Sequence, residues 1–425
     1  MTTGIRAELC WPGKKECLTL IQAPPQQHLE LLPRRCRGAH SLDEQKADEL
    51  SHSFIEGDNL EALKLLREKY SGRINTIYID PPYNTGHKFI YRDDFRSAAA
   101  RKSTDQERAR QHSNWCNMMY PRLKLAYDLL SPDGALFISL DDRELGYLRL
   151  MCDEICGEEN FVAQLVWETK NEAKGIPPSS MCIINHEYIV VYAKSKRFKF
   201  KGEKRQVADG FANPDGDPRG PWKRQYLQRF GQGFPERRLI DPQTGITYAF
   251  ESPYTESKML AWLEEGSLMF PRSPHRYPIR KEYFNRYPNP YKPVLSQWGL
   301  YSTKVNSEQL KALFQGHKCF DYPKPTALMQ RLIEQSCPDD GLVLDIFAGS
   351  ATTGHATWLQ NLADGGKRRF ILIQTPEPLR SKTAAYAMGY RNICDLALAR
   401  LNRAASQLPP DLDTNMSYYR LKNQS

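Results

Sequence analysis

Ile77-Tyr78-Ile79-Asp80-Pro81-Pro82-Tyr83-Asn84 decides how this chain is read. Residues 74–80 are apolar and rich in β-branched side chains, the composition of a buried parallel strand. The run stops at an acid, two prolines and an aromatic. Proline cannot continue a strand ladder, so Asp80, the carbonyls of Pro81 and Pro82 and the Tyr83 ring sit at the C-terminal edge of a sheet. In open α/β folds that edge binds ligands. The set suits one task, presenting the exocyclic amine of a planar base. The carboxylate and a proline carbonyl accept from the amine, and the tyrosine face stacks on the ring. A strand end breaking into a proline turn around a buried tyrosine would use the same residues.

Asp80-Pro81-Pro82-Tyr83 resembles the catalytic motif of amino-DNA methyltransferases, which use S-adenosylmethionine. The wider string from Tyr78 to Thr85, with Gly86, is similar to the modification subunits of type III restriction systems.

A chain of 425 residues has room for two or three domains. Charged residues make up 26% and hydrophobic residues 40%, ordinary values for a soluble globular protein. No apolar run approaches the roughly 20 residues of a membrane span, and the N-terminus has no signal-peptide core. Ten cysteines without regular spacing suit reduced thiols in a cytoplasm. The net charge of +9 is unevenly placed: residues 195–300 carry 19 Lys/Arg against 11 Asp/Glu. Such a local excess suits a polyanionic partner.

Residues 1–50 show no helical or strand period, and Cys10, Cys17, His28, Cys36 and His40 lack the spacing of zinc ligands. They read as an N-terminal extension. Leu60, Leu63, Leu66 and Tyr70 then recur at helical spacing behind Asp58 or Asn59 as N-cap. About thirty polar residues after Tyr83, carrying His87, Lys88 and Tyr91, read as a loop that closes on substrate. Helices are predicted over 114–130 and 143–156, and strands over 135–140, 162–167 and 188–192. This is the β-α-β alternation of a doubly wound sheet.

The texture changes over residues 195–300, which hold 12 of the 29 prolines and 18 of the 46 aromatic residues. Aromatics for stacking and arginines for phosphates or guanine edges are materials of nucleic-acid readout. Trp222, Lys223, Arg224, Arg237, Arg238, Arg272 and Arg276 are the candidate contacts, together with Asn84, His87, Lys88 and Tyr91 of the loop. An insertion whose aromatics form its own small core is the competing reading. Residues 213–222 also resemble type III modification subunits.

Regular alternation returns near Cys319 with a helix after Pro323-Lys324-Pro325 and a strand over 342–347. The strand ends in Ala348-Gly349-Ser350-Ala351-Thr352-Thr353-Gly354 and opens a helix. Glycine lets a ligand approach the backbone, and the helix N-terminus offers N–H groups to a carboxylate. A strand over 369–374 and a last helix over 392–407 follow. In the resembling family the turn reads Asp-x-Phe-x-Gly-Ser-Gly-Thr-Thr, which Asp345, Phe347, Gly349, Ser350, Thr352 and Thr353 match. The resemblance also implies cofactor contacts from Asp58 and Asn59 on the adenine side, and from Lys324. It implies an acid on the ribose, where this chain has Gln374 and, three residues on, Glu377. Ala351 departs from the usual glycine; a positive φ there would cost roughly 1 kcal/mol.

Catalytic motif first, basic insertion second and cofactor motif last is the permuted order of the β group of these enzymes. The resemblance implies a Rossmann-like α/β methyltransferase fold: a catalytic half over 51–194, a target-recognition domain over 195–300, and a cofactor-binding half with a C-terminal helix over 301–425. It implies site-specific methyl transfer from S-adenosylmethionine to a flipped base in double-stranded DNA, at N6 of adenine. N4 of cytosine, an RNA substrate, or a specificity subunit with weak catalysis are the other readings. A homodimer stays open. Type III modification subunits tend to be longer, which disfavours a restriction-subunit partner.

Overall fold

The computed structural model describes residues 9–38, 52–86, 93–95, 104–171, 181–271 and 276–424. His40, His87, Lys88, Tyr91 and Arg272 lie outside them. The chain divides into two compact units, Met1–Lys201 with Leu295–Ser425, and Gly202–Val294.

The larger unit begins with α1 (Lys14–Gln22), β1 (Gln27–Leu31), β2 (His52–Glu56), α2 (Asn59–Tyr70) and β3 (Ile74–Ile79). It continues through α3 (Asp105–Leu129), β4 (Leu130–Leu140), α4 (Leu145–Cys156), β5 (Phe161–Glu168) and β6 (His186–Ala193). The smaller unit holds β7 (Glu203–Lys204), β8 (Trp222–Tyr226), β9 (Glu236–Ile240), β10 (Thr247–Glu251), α5 (Glu256–Glu264), β11 (Leu268–Met269), β12 (Ile279–Tyr283) and β13 (Tyr291–Lys292). The larger unit resumes with β14 (Gln297–Leu300), α6 (Thr303–Leu313), α7 (Thr326–Ser336), β15 (Leu342–Asp345), α8 (Thr352–Asp364) and β16 (Arg369–Gln374). It ends with α9 (Ala384–Ala387), α10 (Ile393–Ala405) and β17 (Met416–Asn423).

Ten strands of the larger unit form one sheet in the order β1-β17-β2-β16-β15-β3-β4-β6-β5-β14. β3 is buried along nearly its whole length, as its apolar run predicts. It pairs in parallel with β4 on one side and with β15 on the other. From β3 the chain winds through α3 to β4; from β15 it winds the opposite way through α8 to β16. The gap between β3 and β15 is therefore a topological switch point, where diverging loops leave a crevice at the C-terminal strand ends. Asp345 pairs with Tyr78, so the turns after both strands leave the sheet side by side.

Several elements differ from the sequence reading. The first fifty residues, in which no period was legible, contribute α1 and the edge strand β1, which pairs antiparallel with β17. α1 buries only Cys17 and Ile21, too narrow a stripe to read as a period. α3 starts at Asp105, not near residue 114. Thr104 Oγ1 caps the Glu107 N–H at 3.2 Å, and Asp105–Arg108 forms an i,i+3 ion pair. Of its first nine residues only Glu107 is buried, so polar surface hid the helix. β17 was also unforeseen.

The smaller unit has its own core of Leu227, Leu239, Tyr248, Phe250, Met259 and Trp262. Its strands pair as β11-β12-β8, β10-β9 and β13-β7. Among the described residues no helix is long and apolar enough to cross a membrane.

Candidate active site

A cavity of about 640 Å³ opens at the switch point, lined by the turn after β3, the turn after β15 and the start of α2. On the β3 side, Lys324 Nζ lies 3.1 Å from Asp80 Oδ1 and 3.0 Å from Glu187 Oε2. It also donates to the Tyr83 hydroxyl at 2.6 Å, and that hydroxyl donates to Glu187 at 3.0 Å. Burial pushes the Asp80 carboxyl above its usual range; Lys324 opposes that push and Glu187 adds to it. Burial alone would lower the Lys324 ammonium, but the two carboxylates outweigh it and hold its pKa above the ordinary lysine value. The Trp115 indole donates to the Pro82 carbonyl at 2.7 Å. The Pro81 carbonyl is therefore the less engaged acceptor beside Asp80.

Lys324, matched to the cofactor set by resemblance, thus stands among the catalytic candidates. Glu187 escaped the sequence reading, which began its strand at Tyr188. The only signal was an acid in a polar run directly before an apolar strand.

On the β15 side, Asp345 is buried, accepts from the Phe347 N–H at 3.0 Å and the Thr353 hydroxyl at 2.5 Å, and is pushed up to about 7 by burial. Gly349 takes φ 52°, and its N–H donates to Gln374 Oε1 at 2.7 Å. Gln374 Nε2 donates to the Thr375 carbonyl at 3.0 Å. Each end of the Gln374 amide makes one bond within the protein, which leaves one N–H and one lone pair for a ligand in the cavity that it lines. Glu377 lines the same cavity, and burial pushes its carboxyl up to about 7. Asp58 caps α2, accepting from Leu60 and Glu61 N–H groups at 2.9 and 3.3 Å, and pairs with Arg122 at 3.1 Å. Asn59 ties the end of β15 to α2 by donating to the Ile346 carbonyl at 2.9 Å.

Ala351 adopts φ 60° and ψ 39° and is fully buried. The strained conformation that its family position implies is present. Ala351→Gly is expected to relieve about 1 kcal/mol of strain while losing one buried methyl, so melting should shift little. Calorimetry with S-adenosylhomocysteine should show equal or slightly tighter binding. A loss beyond about tenfold, or 1.4 kcal/mol, would exclude this turn geometry.

The acids set a pH dependence. Were the ribose hydroxyls of a bound cofactor to hydrogen-bond to Glu377, they would favour its ionised form, and binding below pH 7 would release a proton. Affinity should rise as pH rises towards about 7, where the Glu377 carboxyl titrates, by up to about tenfold per pH unit. Stability without ligand runs the other way. Both raised carboxyls hold protons in the folded state above their unfolded values of 4.5 and 3.8, so stability falls as pH climbs towards 7. Calorimetry in buffers of different ionisation enthalpy counts the proton. Glu377→Gln should flatten the profile; an unaltered slope would assign the proton to Asp345.

The DNA-contact candidates separate. Asn84 is buried at φ 61°; its amide donates to Glu144 at 2.5 Å and accepts from Gln111 at 2.7 Å. It braces the loop and does not face outward. Trp222 is 5% exposed with its indole on Asp215 at 2.9 Å, so its ring belongs to the smaller unit's interior. Asp217 beside it takes Arg219, Lys281 and Tyr283, and Arg219 above all holds its carboxyl far below the usual range. Lys223 donates to the Tyr287 hydroxyl at 2.7 Å. Arg224, Arg238 and Arg276 are exposed, and Arg237 is half-buried.

Comparison with known proteins gives the class. Residues 74–375 match the family model described as DNA methylase. The chain belongs to this family of N6 and N4 amino-methylases. It is 35% identical over 382 residues to the StyLTI Mod subunit, a type III restriction-modification enzyme of Salmonella typhimurium, covering 84% of this chain and 58% of that one. It is 30% identical over 458 residues to the EcoP15I Mod subunit of Escherichia coli, covering 94% and 69%. It is 31% identical over 386 residues to the type II methyltransferase M.KpnI of Klebsiella pneumoniae, covering 85% and 89%. The chain thus spans little more than half the length of the StyLTI relative.

Proposed function

We propose that this chain transfers a methyl group from S-adenosylmethionine to the exocyclic amine of a base flipped out of double-stranded DNA, N6 of adenine. One observation carries the reading: Asp80 and the Gly349 turn leave adjacent strands at the switch point and line one cavity. The donor fits the residues present. Glu377 and Asp58 offer acceptors for hydroxyl and adenine groups, the left-handed Gly349 lets a ligand reach the backbone, and the start of α8 offers N–H groups to a carboxylate.

Bound S-adenosylmethionine supplies an electrophilic sulfonium methyl. The chain's own task is to orient the amine. Its lone pair is conjugated with the base and a weak nucleophile. Asp80 and the Pro81 carbonyl accept hydrogen bonds from its two N–H groups and localise the lone pair, and the Tyr83 ring fixes the plane of the base. Lys324 and Glu187 lock the Tyr83 hydroxyl and hold Asp80 in place. The amine proton is released to Asp80, whose raised affinity for protons suits it as acceptor, or to water. Catalysis of this kind is mainly positioning, and the target atom requires the base to be extruded.

The smaller unit supplies target readout in this proposal, through its exposed Arg224, Arg238 and Arg276. Replacing residues 202–294 with the matching segment of a relative is expected to change which sites are methylated while S-adenosylhomocysteine binding stays intact. Methylation of the original sites would place the determinants elsewhere. The function itself is tested by incubating the protein with duplex DNA and deuterated-methyl S-adenosylmethionine. Nucleoside mass spectrometry should show labelled N6-methyladenine. Labelled N4-methylcytosine would correct the target, and label in RNA alone would overturn the reading.

A further inference from the structure

Arg400, on α10, is 2% exposed, yet no carboxylate among the described residues pairs with it. Its Nη1 donates to Ser350 Oγ at 2.8 Å, Thr352 Oγ1 at 2.6 Å and the Ser350 carbonyl at 3.3 Å; Nη2 donates to Thr326 Oγ1 at 3.0 Å. Among the described residues its Nε has no partner. Arg368, the other fully buried arginine among the described residues, is compensated by Asp339 and Asp364 at 2.7 and 2.9 Å, and the less buried Arg122 has Asp58 at 3.1 Å. Burying a guanidinium without a counter-ion is strongly unfavourable. Neighbouring His355 supplies no negative charge, and burial together with Arg400 keeps its ring neutral, with a pKa near 3. Arg400 itself stays charged at neutral pH, its pKa lowered by burial only to about 9.

The neutral groups it touches are not arbitrary. Ser350 and Thr352 line the cavity, and Thr352 opens the thirteen-residue helix α8. A hydroxyl oxygen that accepts from a guanidinium must point its own proton elsewhere. With Ser350 Oγ and Thr352 Oγ1 3.4 Å apart, the pair retains at least one O–H to offer a ligand. In a low-dielectric surround the charge behind them strengthens that donor and the N–H groups of the helix start alike.

We propose that Arg400 is the buried counter-charge for the carboxylate at the amino-acid end of the cofactor, acting through the Ser350–Thr352 turn as a positioning residue. The inference rests on the S-adenosylmethionine reading above. It goes further by placing the specificity for the ligand's negative end in a side chain behind the cavity lining, one that the sequence reading did not single out.

The test is calorimetry on the full chain with two probes, S-adenosylhomocysteine and its decarboxylated analogue S-adenosyl-3-thiopropylamine. The wild type should prefer the carboxylate-bearing probe by about ten- to a hundredfold, the range of a charged hydrogen bond. Arg400→Met should erase that preference while leaving binding of the decarboxylated analogue within about threefold, well under one such bond. Arg400→Lys should restore part of it. A wild-type preference persisting in Arg400→Met would overturn the proposal, since a merely structural arginine weakens both probes together. If Arg400→Met does not fold, the wild-type pair decides: equal affinities overturn the assignment, and a preference supports it. Failure of the wild type to bind either probe would instead sink the cofactor reading.

Discussion

Asp80→Ala should bind S-adenosylhomocysteine as the wild type does and lose methyl transfer by about a hundred- to a thousandfold, the scale for removing one preorganised polar group. Asp80 lies beyond the end of β3 and makes no bond that holds the sheet. Its ionic partner Lys324 keeps Glu187 at 3.0 Å and the Tyr83 hydroxyl at 2.6 Å, so the neighbouring cluster survives the loss. What disappears is the acceptor that localises the amine lone pair. Asp80→Asn isolates charge from shape, because an amide is as large but accepts more weakly and adds unwanted donors. It should recover little. Tyr83→Ala should fall by a smaller factor, from lost stacking worth about 1–3 kcal/mol. Initial rates with labelled S-adenosylmethionine and saturating DNA, beside calorimetry, separate these effects. Near-normal turnover by Asp80→Ala would sink the mechanism.

What sequence disclosed and what it concealed divide along a physical line. β3, β15 and the turns that follow them are local patterns: a continuous apolar run, then residues that cannot continue it. They were legible because strand burial and strand termination are written in adjacent residues. The left-handed Ala351 was legible as well, as a methyl where a turn wants glycine. The cluster of Asp80, Tyr83, Glu187 and Lys324 was not, because Lys324 and Tyr83 stand 241 residues apart and meet only through the sheet's strand order. Arg400 is hidden for the same reason, lying on α10, 50 residues beyond Ser350 of the turn. Trp222 and Asn84 show a different limit. An aromatic or amide in a basic context suits a nucleic-acid contact and a satisfied interior equally, and burial decides between them. Both are buried.

Gly349→Val should abolish measurable cofactor binding while the protein still folds. Two effects combine at this position. At φ 52° a β-branched residue is held in the left-handed region, at about 1–2 kcal/mol. A Cβ there would meet Phe320 Cζ at 3.5 Å and the Phe347 carbonyl at 3.8 Å, ordinary contacts that the fold tolerates. The two γ-carbons are what block the ligand, since Gly349 lines the cavity where a bound group must approach the backbone. They also crowd the Gly349 N–H to Gln374 bond that orients the turn. Gly349→Ala carries the backbone penalty without the γ-carbons, so it separates strain from obstruction. Both variants should melt at lower temperature by similar amounts. Affinity for S-adenosylhomocysteine should fall about tenfold or less in Gly349→Ala, the equivalent of 1.4 kcal/mol, and beyond detection in Gly349→Val. Equal affinities in the two would mean that strain alone acts and that the ligand passes clear of Gly349. Unchanged affinity in Gly349→Val would remove the turn after β15 from the cofactor site, leaving the α2 start and Glu377 to hold the ligand without it.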